Sequence, residues 1–154
     1  MKNTWLNEQP SLITYDDLSE GRKARFTKTV TEADISHFIA ITGDVNPLHV
    51  DESFARHTFF RHRIAHGMLS ASLFSTVLGM FLPGTGAIYR SQQIEFKGPV
   101  YIGDTLTARF EITKIDRERE IIELDGAITN QNGTVVISGR ATATLLRKFI
   151  DCVD

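Results

Sequence analysis

Residues 67 to about 82 read GMLSASLFSTVLGMFL and contain no charged side chain. At helical spacing the apolar residues cover most of the circumference of this segment: Met68, Leu69, Ala71, Leu73, Phe74, Val77, Leu78, Met80 and Phe81. A helix that is apolar nearly all round has to be enclosed. No apolar run in the chain reaches the roughly 18 residues of a membrane-spanning helix. The remaining sequence therefore has to cover this helix.

Four segments after this helix alternate apolar and polar residues between turn signals, which predicts β-strands. They span residues 88–100, 105–116, 120–130 and 134–147. The sequence NQNG between the last two predicts a hairpin turn with positive φ at Asn132 and Gly133. One antiparallel sheet wrapped around one central helix accounts for both patterns, so we predict an α+β fold of this design.

The first part of the chain predicts a strand and a shorter helix. Residues 23–30 alternate apolar and polar side chains, as a short strand does. Thr31 is a suitable N-cap for the helix that follows, and Gly43 can adopt the left-handed conformation that ends it. After this helix, DESFARHTFF predicts a short helix and a loop, with Phe54 anchored in the core.

A single domain over residues 1–154 is expected, since no repeat, low-complexity segment or linker divides the chain. A chain of 154 residues can bury a substantial core. Residues 1–20 have no clear period and predict an irregular lead-in, in which Trp5, Leu12 and Ile13 pack on the body.

Charge and cysteine content narrow the class of protein. A net charge of −2 argues against a nucleic-acid binder, which would be strongly basic. The first residues lack the basic flank and apolar core of a secretory signal. The one cysteine, Cys152, excludes an intrachain disulfide framework and is expected to be a thiol in the C-terminal tail. These features favour a cytoplasmic enzyme.

The stretch GDVNPLH, residues 43–49, places an acid, an amide, a proline and an imidazole just after the first helix. Pro47 biases Asn46 towards an extended conformation and prevents the helix from continuing. The turn is therefore stiff and can hold Asp44 and His49 at a fixed separation. A carboxylate and an imidazole held in this way are suited to acid–base catalysis. The alternative is that Asp44 and Asn46 only cap a turn and that His49 is a satisfied polar residue.

At this point the chain resembles a known family. ITGDVNPLHVDESFA, IAHGMLSASLFSTVLG and LPGTGAIYRSQQIEFKGPVYIGD, with the last two strands, are similar to the MaoC-like, R-specific enoyl-CoA hydratases. The resemblance covers about residues 26–146. It also extends to the hydratase-like domain fused to phosphate acetyl- or butyryltransferases, and leaves open whether this chain works with a separate transferase. The family has the hot-dog fold, in which a curved antiparallel sheet surrounds one long helix.

The resemblance implies a catalytic pair and an oxyanion donor. Asp44 is expected to be the base that activates one water molecule, and His49 to orient this water and assist proton delivery. The backbone N–H of Gly67, at the start of the apolar helix, is expected to stabilise the thioester oxygen. The alternative for this glycine is close packing. The supporting residues that the resemblance implies are Asn46, Ser75 and, as a limit on acyl length, Leu78.

Other polar residues are given structural roles. His66 is expected to order the turn before the helix, His37 to be exposed, and Ser70 and Ser72 to bond within the helix. Five basic residues before the helix form either a solvated surface or a contact for the phosphates of coenzyme A: Arg56, His57, Arg61, His62 and Arg63. The histidine spacing matches no metal motif, so neither a metal nor a cofactor is predicted.

The predicted activity is reversible syn hydration of trans-2-enoyl-CoA to (R)-3-hydroxyacyl-CoA. The expected assembly is a homodimer, or a higher homo-oligomer, joined through sheet edges, with neither nucleic acid nor membrane as partner. Three alternatives stay open: a 3-hydroxyacyl dehydratase acting on carrier-protein thioesters, an acyl-CoA thioesterase, and a non-catalytic acyl-CoA-binding module. The D-x-N-P-x-H element argues against the last two.

Overall fold

The computed structural model describes residues 12–146, which form one antiparallel sheet and a set of helices. The sheet has five strands: β1 Lys23–Thr29, β2 Ala87–Phe96, β3 Thr105–Asp116, β4 Ile121–Thr129 and β5 Val135–Leu145. Their order is β1-β3-β4-β5-β2, so β1 and β2 are the two edges. The five strands predicted from alternation are confirmed.

Register shifts interrupt three of the strand pairs. They occur between Tyr89 and Ser91 in β2, between Ile112 and Lys114 in β3, and next to Thr129 in β4. A β-bulge bends its strand and increases the local twist. These irregularities allow a long sheet to bend around a helix. The predicted α+β hot-dog architecture is therefore confirmed.

In the described residues, five α-helices lie between β1 and β2: α1 Glu32–Thr42, α2 Pro47–Val50, α3 Glu52–Arg56, α4 Gly67–Ala71 and α5 Leu73–Met80. A 3-10 helix, Tyr15–Asp17, precedes β1. The predicted caps of α1 are confirmed. The Thr31 side chain accepts a hydrogen bond from the N–H of Asp34, and Gly43 has a left-handed φ of 75°. This φ is the reason that glycine suits the position, because a Cβ would be strained there.

The central apolar segment forms two helices rather than one. Ser72 separates α4 from α5 but keeps a right-handed backbone, with φ −60° and ψ −20°. Its hydroxyl donates to the carbonyl of Leu69 at 2.6 Å. A serine hydroxyl that bonds back to the preceding turn commonly disturbs a helix, which agrees with the interruption here.

The contact between α5 and the sheet is built around a glycine. Phe74 on α5 stacks on Phe110 of β3, with ring centroids 4.6 Å apart. On neighbouring β4, a Cβ added to Gly126 would lie 2.7 Å from the Phe74 ring and closer still to Phe110. Only a residue without a side chain leaves room for both rings.

The prediction that the central helix is enclosed all round is wrong for the single chain. Met80 is 69% exposed, and Met68 and Phe81 are also exposed. The sheet has one concave face and covers only the side of α5 that carries Phe74 and Val77, both fully buried. The other side of the helix is open to solvent.

Two local predictions also need correction. Phe54 is 47% exposed, whereas its neighbour Ala55 is fully buried, so α3 turns the alanine rather than the aromatic ring inwards. In the NQNG turn, Gly133 has positive φ but Asn132 does not. Asn130 pairs with Thr134, which leaves a three-residue loop, and such loops need a left-handed residue only at the last position.

The lead-in packs on the body where the structure describes it. Ile13 contacts the core, its N–H donates to the carbonyl of Thr85, and Leu12 is half-buried. Trp5 and Cys152 lie outside the described residues, and the single domain over 1–154 stays a prediction. Within residues 12–146, no helix has the length and apolar character needed to cross a membrane.

Candidate active site

The turn after α1 is fixed by short-range hydrogen bonds. The Asp44 carboxylate accepts the N–H of Asn46 at 3.1 Å, and the Asn46 side chain accepts the N–H of Leu48 at 3.0 Å. Asn46 thereby caps α2, and Pro47 occupies the first helical position, where its missing N–H costs no hydrogen bond. Asp44 is left exposed beside this rigid turn.

His49 points inwards from α2 and is only 9% exposed. Its Nδ1 lies 2.8 Å from the carbonyl oxygen of Ile64. A carbonyl can only accept, so Nδ1 carries the proton that it donates, and Nε2 of the neutral ring keeps a lone pair. His49 therefore enters the site as an acceptor of fixed orientation.

His66 connects the two predicted catalytic groups. It is 2% exposed, and its Nε2 donates to the backbone carbonyl of Asp44 at 3.0 Å. The centroid of its ring lies 3.9 Å from that of the His49 ring and 4.9 Å from that of the Phe38 ring. This arrangement agrees with the turn-ordering role predicted for His66.

Asp44, His49 and His66 each place one nitrogen or oxygen atom within 4.8 Å of the other two. Two hydrogen bonds of ordinary length through one water molecule span about 5 Å, so a water can contact the Asp44 carboxylate and the His49 ring together. The same carboxylate and two imidazoles are also of the ligand types that bind a transition metal such as zinc. Residues 44, 49 and 66 are not at the spacing of any metal motif, so this set could not be predicted from the sequence alone.

A cavity of about 400 Å³ lies against His49. Its wall includes Gly67, Ser70, Phe60, Phe96 and Val100. This volume and mainly apolar wall are typical of a small-molecule site. Gly67 also leaves room for the Phe96 ring, because a Cβ there would lie 2.7 Å from it.

The other predicted site residues lie elsewhere. Leu78 is buried in the core and Ser75 lies on the exposed side of α5, and neither belongs to the cavity wall. Asn46 has the local capping role described above. Ser70 lines the cavity, whereas the sequence predicted only an ordinary helical role for it. Its position three residues after Gly67, on the same helix face, was the available signal.

The predicted basic cluster is partly neutralised by ion pairs. Both terminal nitrogens of Arg63 bind the Glu32 carboxylate, at 2.9 and 2.7 Å, and hold the pKa of Glu32 below its usual value. Arg63 also approaches the carbonyl of His49 at 3.4 Å. His62 contacts Glu52 at 2.9 Å. These contacts favour a structural role for Arg63 beside the site.

Comparison with known proteins gives the family. The model of the MaoC like domain matches residues 16–134. The chain belongs to the MaoC-like domain family. The (R)-specific enoyl-CoA hydratase of Rhodospirillum rubrum is 47% identical over 128 residues, which cover 83% of this chain and 88% of that protein. The enzyme of the same name from Aeromonas caviae is 44% identical, over 86% of this chain and 99% of its own length.

A solved structure supports the same MaoC-like fold. The (R)-hydratase from A. caviae involved in PHA biosynthesis superposes with a TM-score of 0.81 at 43% identity. The match covers 84% of this chain and 98% of that structure. The family predicted from residues 26–146 is therefore confirmed.

Proposed function

We propose that this MaoC-like chain is an (R)-specific enoyl-CoA hydratase, a hydro-lyase that interconverts trans-2-enoyl-CoA and (R)-3-hydroxyacyl-CoA. The observation that carries the proposal is the approach of the Asp44 carboxylate and an imidazole nitrogen of His49 to within 4.8 Å beside the cavity. The relatives at 44% and 47% identity bear that activity in their names.

Hydration starts from one water molecule held between Asp44 and His49. Asp44 accepts a proton from this water while its oxygen attacks C3 of the enoyl thioester. The remaining O–H of the water donates to Nε2 of His49, which keeps the oxygen aimed at C3. The proton that left the water is delivered by the pair to C2 on the same face. One water thus supplies both added groups, and the addition is syn.

The charge that develops on the thioester oxygen needs a donor. Gly67 is the first residue of α4, and the N–H groups of the first helical turn have no carbonyl partner within the helix. Removing one such donor typically raises a barrier by about 3 kcal/mol. Gly67 serves the reaction in this way and also admits the Phe96 ring, so packing and catalysis both favour glycine.

A homodimer accounts for the open edge of the sheet. β2 is an edge strand and carries exposed apolar side chains at Ile88 and Phe96. An unprotected edge promotes pairing with another strand, and a second copy placed there would cover these residues. Light scattering should give twice the chain mass, and a monomer at working concentration would contradict this assembly. The predicted cytoplasmic location is part of the same proposal.

The direct test uses crotonyl-CoA and longer trans-2-enoyl-CoA substrates. Loss of the enoyl absorbance should be rapid, and an R-specific 3-hydroxyacyl-CoA dehydrogenase should oxidise the product. A matched acyl-carrier-protein substrate measures preference for the carrier, and thiol release from saturated acyl-CoA measures hydrolysis. Faster turnover on the carrier-protein substrate, or thiol release without hydration, would replace this function by one of its alternatives.

A further inference from the structure

The hydroxyl of Ser70 is buried and finds no hydrogen-bond partner among the described residues. Ser70 is 1% exposed, and its Oγ has no partner within the part of the chain that the structure describes. A buried hydroxyl left unpaired is destabilising, because it has lost its hydrogen bonds to water and gained none. An unpaired group of this kind in a folded protein calls for a specific explanation.

Two other serines, Ser36 in α1 and Ser72 between α4 and α5, make the usual local bond. Ser72 donates to the carbonyl of Leu69 at 2.6 Å, and Ser36 donates to that of Glu32 at 3.1 Å. Bonding back to the preceding turn is the ordinary solution for a serine inside a helix. Ser70 does not adopt it, although it lies only two residues from Ser72. Its hydroxyl is therefore available to another acceptor.

The cavity next to His49 is the place from which an acceptor can reach Ser70. Ser70 and Gly67 are both in the cavity wall and stand three residues apart on α4. Residues at this spacing share a helix face. A substrate oxygen near the N–H of Gly67 is thus also near the Ser70 side chain. Lys97, another wall residue, has its ammonium 2.6 Å from Glu95.

We propose that Ser70 is a second substrate-contacting donor, whose O–H binds the thioester oxygen together with the N–H of Gly67. The inference rests on the proposed hydratase function and adds a residue to it. As C3 is attacked, negative charge moves onto this oxygen, and a hydrogen bond to a charged oxygen is stronger than one to a neutral carbonyl. The contribution of Ser70 therefore grows towards the transition state and acts mainly on kcat.

The competing acceptor within the protein is Nδ1 of His66. This atom is also buried without a partner among residues 12–146, and His66 lies one helical turn before Ser70. Because Nε2 of His66 donates to Asp44, Nδ1 is an acceptor in the neutral ring. A bond from Ser70 to His66 would make the serine a positioning residue that acts through the Asp44 turn. The experiment has to separate these two roles.

The first measurement compares Ser70→Ala with Ser72→Ala, a matched loss of one hydroxyl from the same helical region. With crotonyl-CoA, Ser70→Ala should lower kcat about 100-fold with little change in KM, as loss of an oxyanion donor does. Ser72→Ala should retain the kcat of the unmodified chain. Neither variant should melt earlier by more than a few degrees. Ser70 loses no hydrogen bond to the described residues, and Ser72 loses one exposed bond to the carbonyl of Leu69.

The second measurement does not depend on turnover. Acetoacetyl-CoA forms an enolate with its own near-ultraviolet absorbance, and two donors at the thioester oxygen should increase the enolate fraction of the bound ligand. The Ser72→Ala protein should preserve this signal, and Ser70→Ala should reduce it several-fold. Binding of a saturated acyl-CoA should change by less than threefold in both variants.

Three results would overturn the inference. The first is that Ser70→Ala matches Ser72→Ala within twofold in both kcat and enolate fraction, which would show that Ser70 does not contact the substrate. The proposed function would still stand in that case, provided that the unmodified chain hydrates enoyl-CoA. A displaced pH profile of kcat/KM with an unchanged enolate signal would assign the hydroxyl to His66. An unmodified chain that hydrates no enoyl-CoA removes the proposed function and this inference together.

Discussion

The turn at residues 43–49 and the contact of α5 with the sheet are organised by different forces. In the turn, Asp44 and Asn46 are exposed, and short-range hydrogen bonds fix their positions. Under the sheet, Phe74 and Phe110 are buried and stacked, and Gly126 leaves room for them. The proposed chemistry thus depends on a segment that buries little apolar surface, and changes in activity and in stability should be separable.

The largest effect is expected at Asp44. Asp44→Asn keeps an oxygen that can accept the N–H of Asn46 but removes the base, so kcat/KM for hydration should fall about 1,000-fold or more. The melting temperature should stay unchanged, because the side chain is exposed. Asp125→Asn removes a carboxylate that pairs with Arg140 on the sheet and should leave activity intact. If Asp44→Asn retained a tenth of the activity, Asp44 would not be the catalytic base.

Phe74 should show the opposite behaviour. Phe74→Ala leaves a cavity over Gly126 and should lower the free energy of unfolding by about 3–5 kcal/mol. Denaturation in urea measures this loss, and Phe74→Leu provides a milder change if the alanine variant does not fold. Ile41→Ala is the control, since Ile41 is exposed. Equal stability of the Phe74 and Ile41 variants would show that the stacked rings are not the stabilising contact.

Asn46 should affect both stability and activity, each to a smaller extent. Asn46→Ala removes the cap of α2 and should cost about 1 kcal/mol of stability. Because α2 carries His49, we also expect about a tenfold loss of kcat/KM, consistent with modest misplacement of a catalytic group. Asn46→Ser can still cap and should recover most of both losses. Full activity in the alanine variant would show that the cap does not position His49.

The Glu32–Arg63 pair should have the smallest effect, because Glu32 is more than half exposed. Glu32→Gln should cost less than about 1 kcal/mol, and salt should reduce the difference. The hydrogen bond from Arg63 lowers the pKa of Glu32 below its usual 4.5 in the folded chain. The stabilisation is therefore fully present above pH 4.5 and is lost as the pH falls through the folded pKa. A difference that grows on acidification would contradict this account.

Features encoded over a few residues could be predicted. The two ends of α1, at Thr31 and Gly43, could be predicted because capping depends on the residues next to the helix end. The turn that follows brings Asp44 near His49 because Pro47 and Asn46 restrict five intervening peptide units. Strand alternation likewise identified all five strands of the sheet.

Features that depend on packing between distant segments could not be predicted. Phe54 and Ala55 are neighbours in α3, and their sequence does not reveal which of them faces the body. One side of α5 is exposed because the sheet covers only the other side. The apolar pattern of the sequence, by contrast, predicted a helix enclosed all round. Leu78 lies in the core rather than in the cavity wall for the same reason.

The sequence by itself determined the strands, the caps of α1 and a rigid turn carrying an acid and an imidazole, because these depend on periodicity and on neighbouring residues. Only the tertiary structure decided that His66 joins Asp44 to His49. It also decided that the Ser70 hydroxyl is buried in the wall of the same cavity without a partner among residues 12–146. Hydrogen-bond satisfaction is a property of the whole packed chain, since a partner can come from any segment that folding brings within about 3 Å.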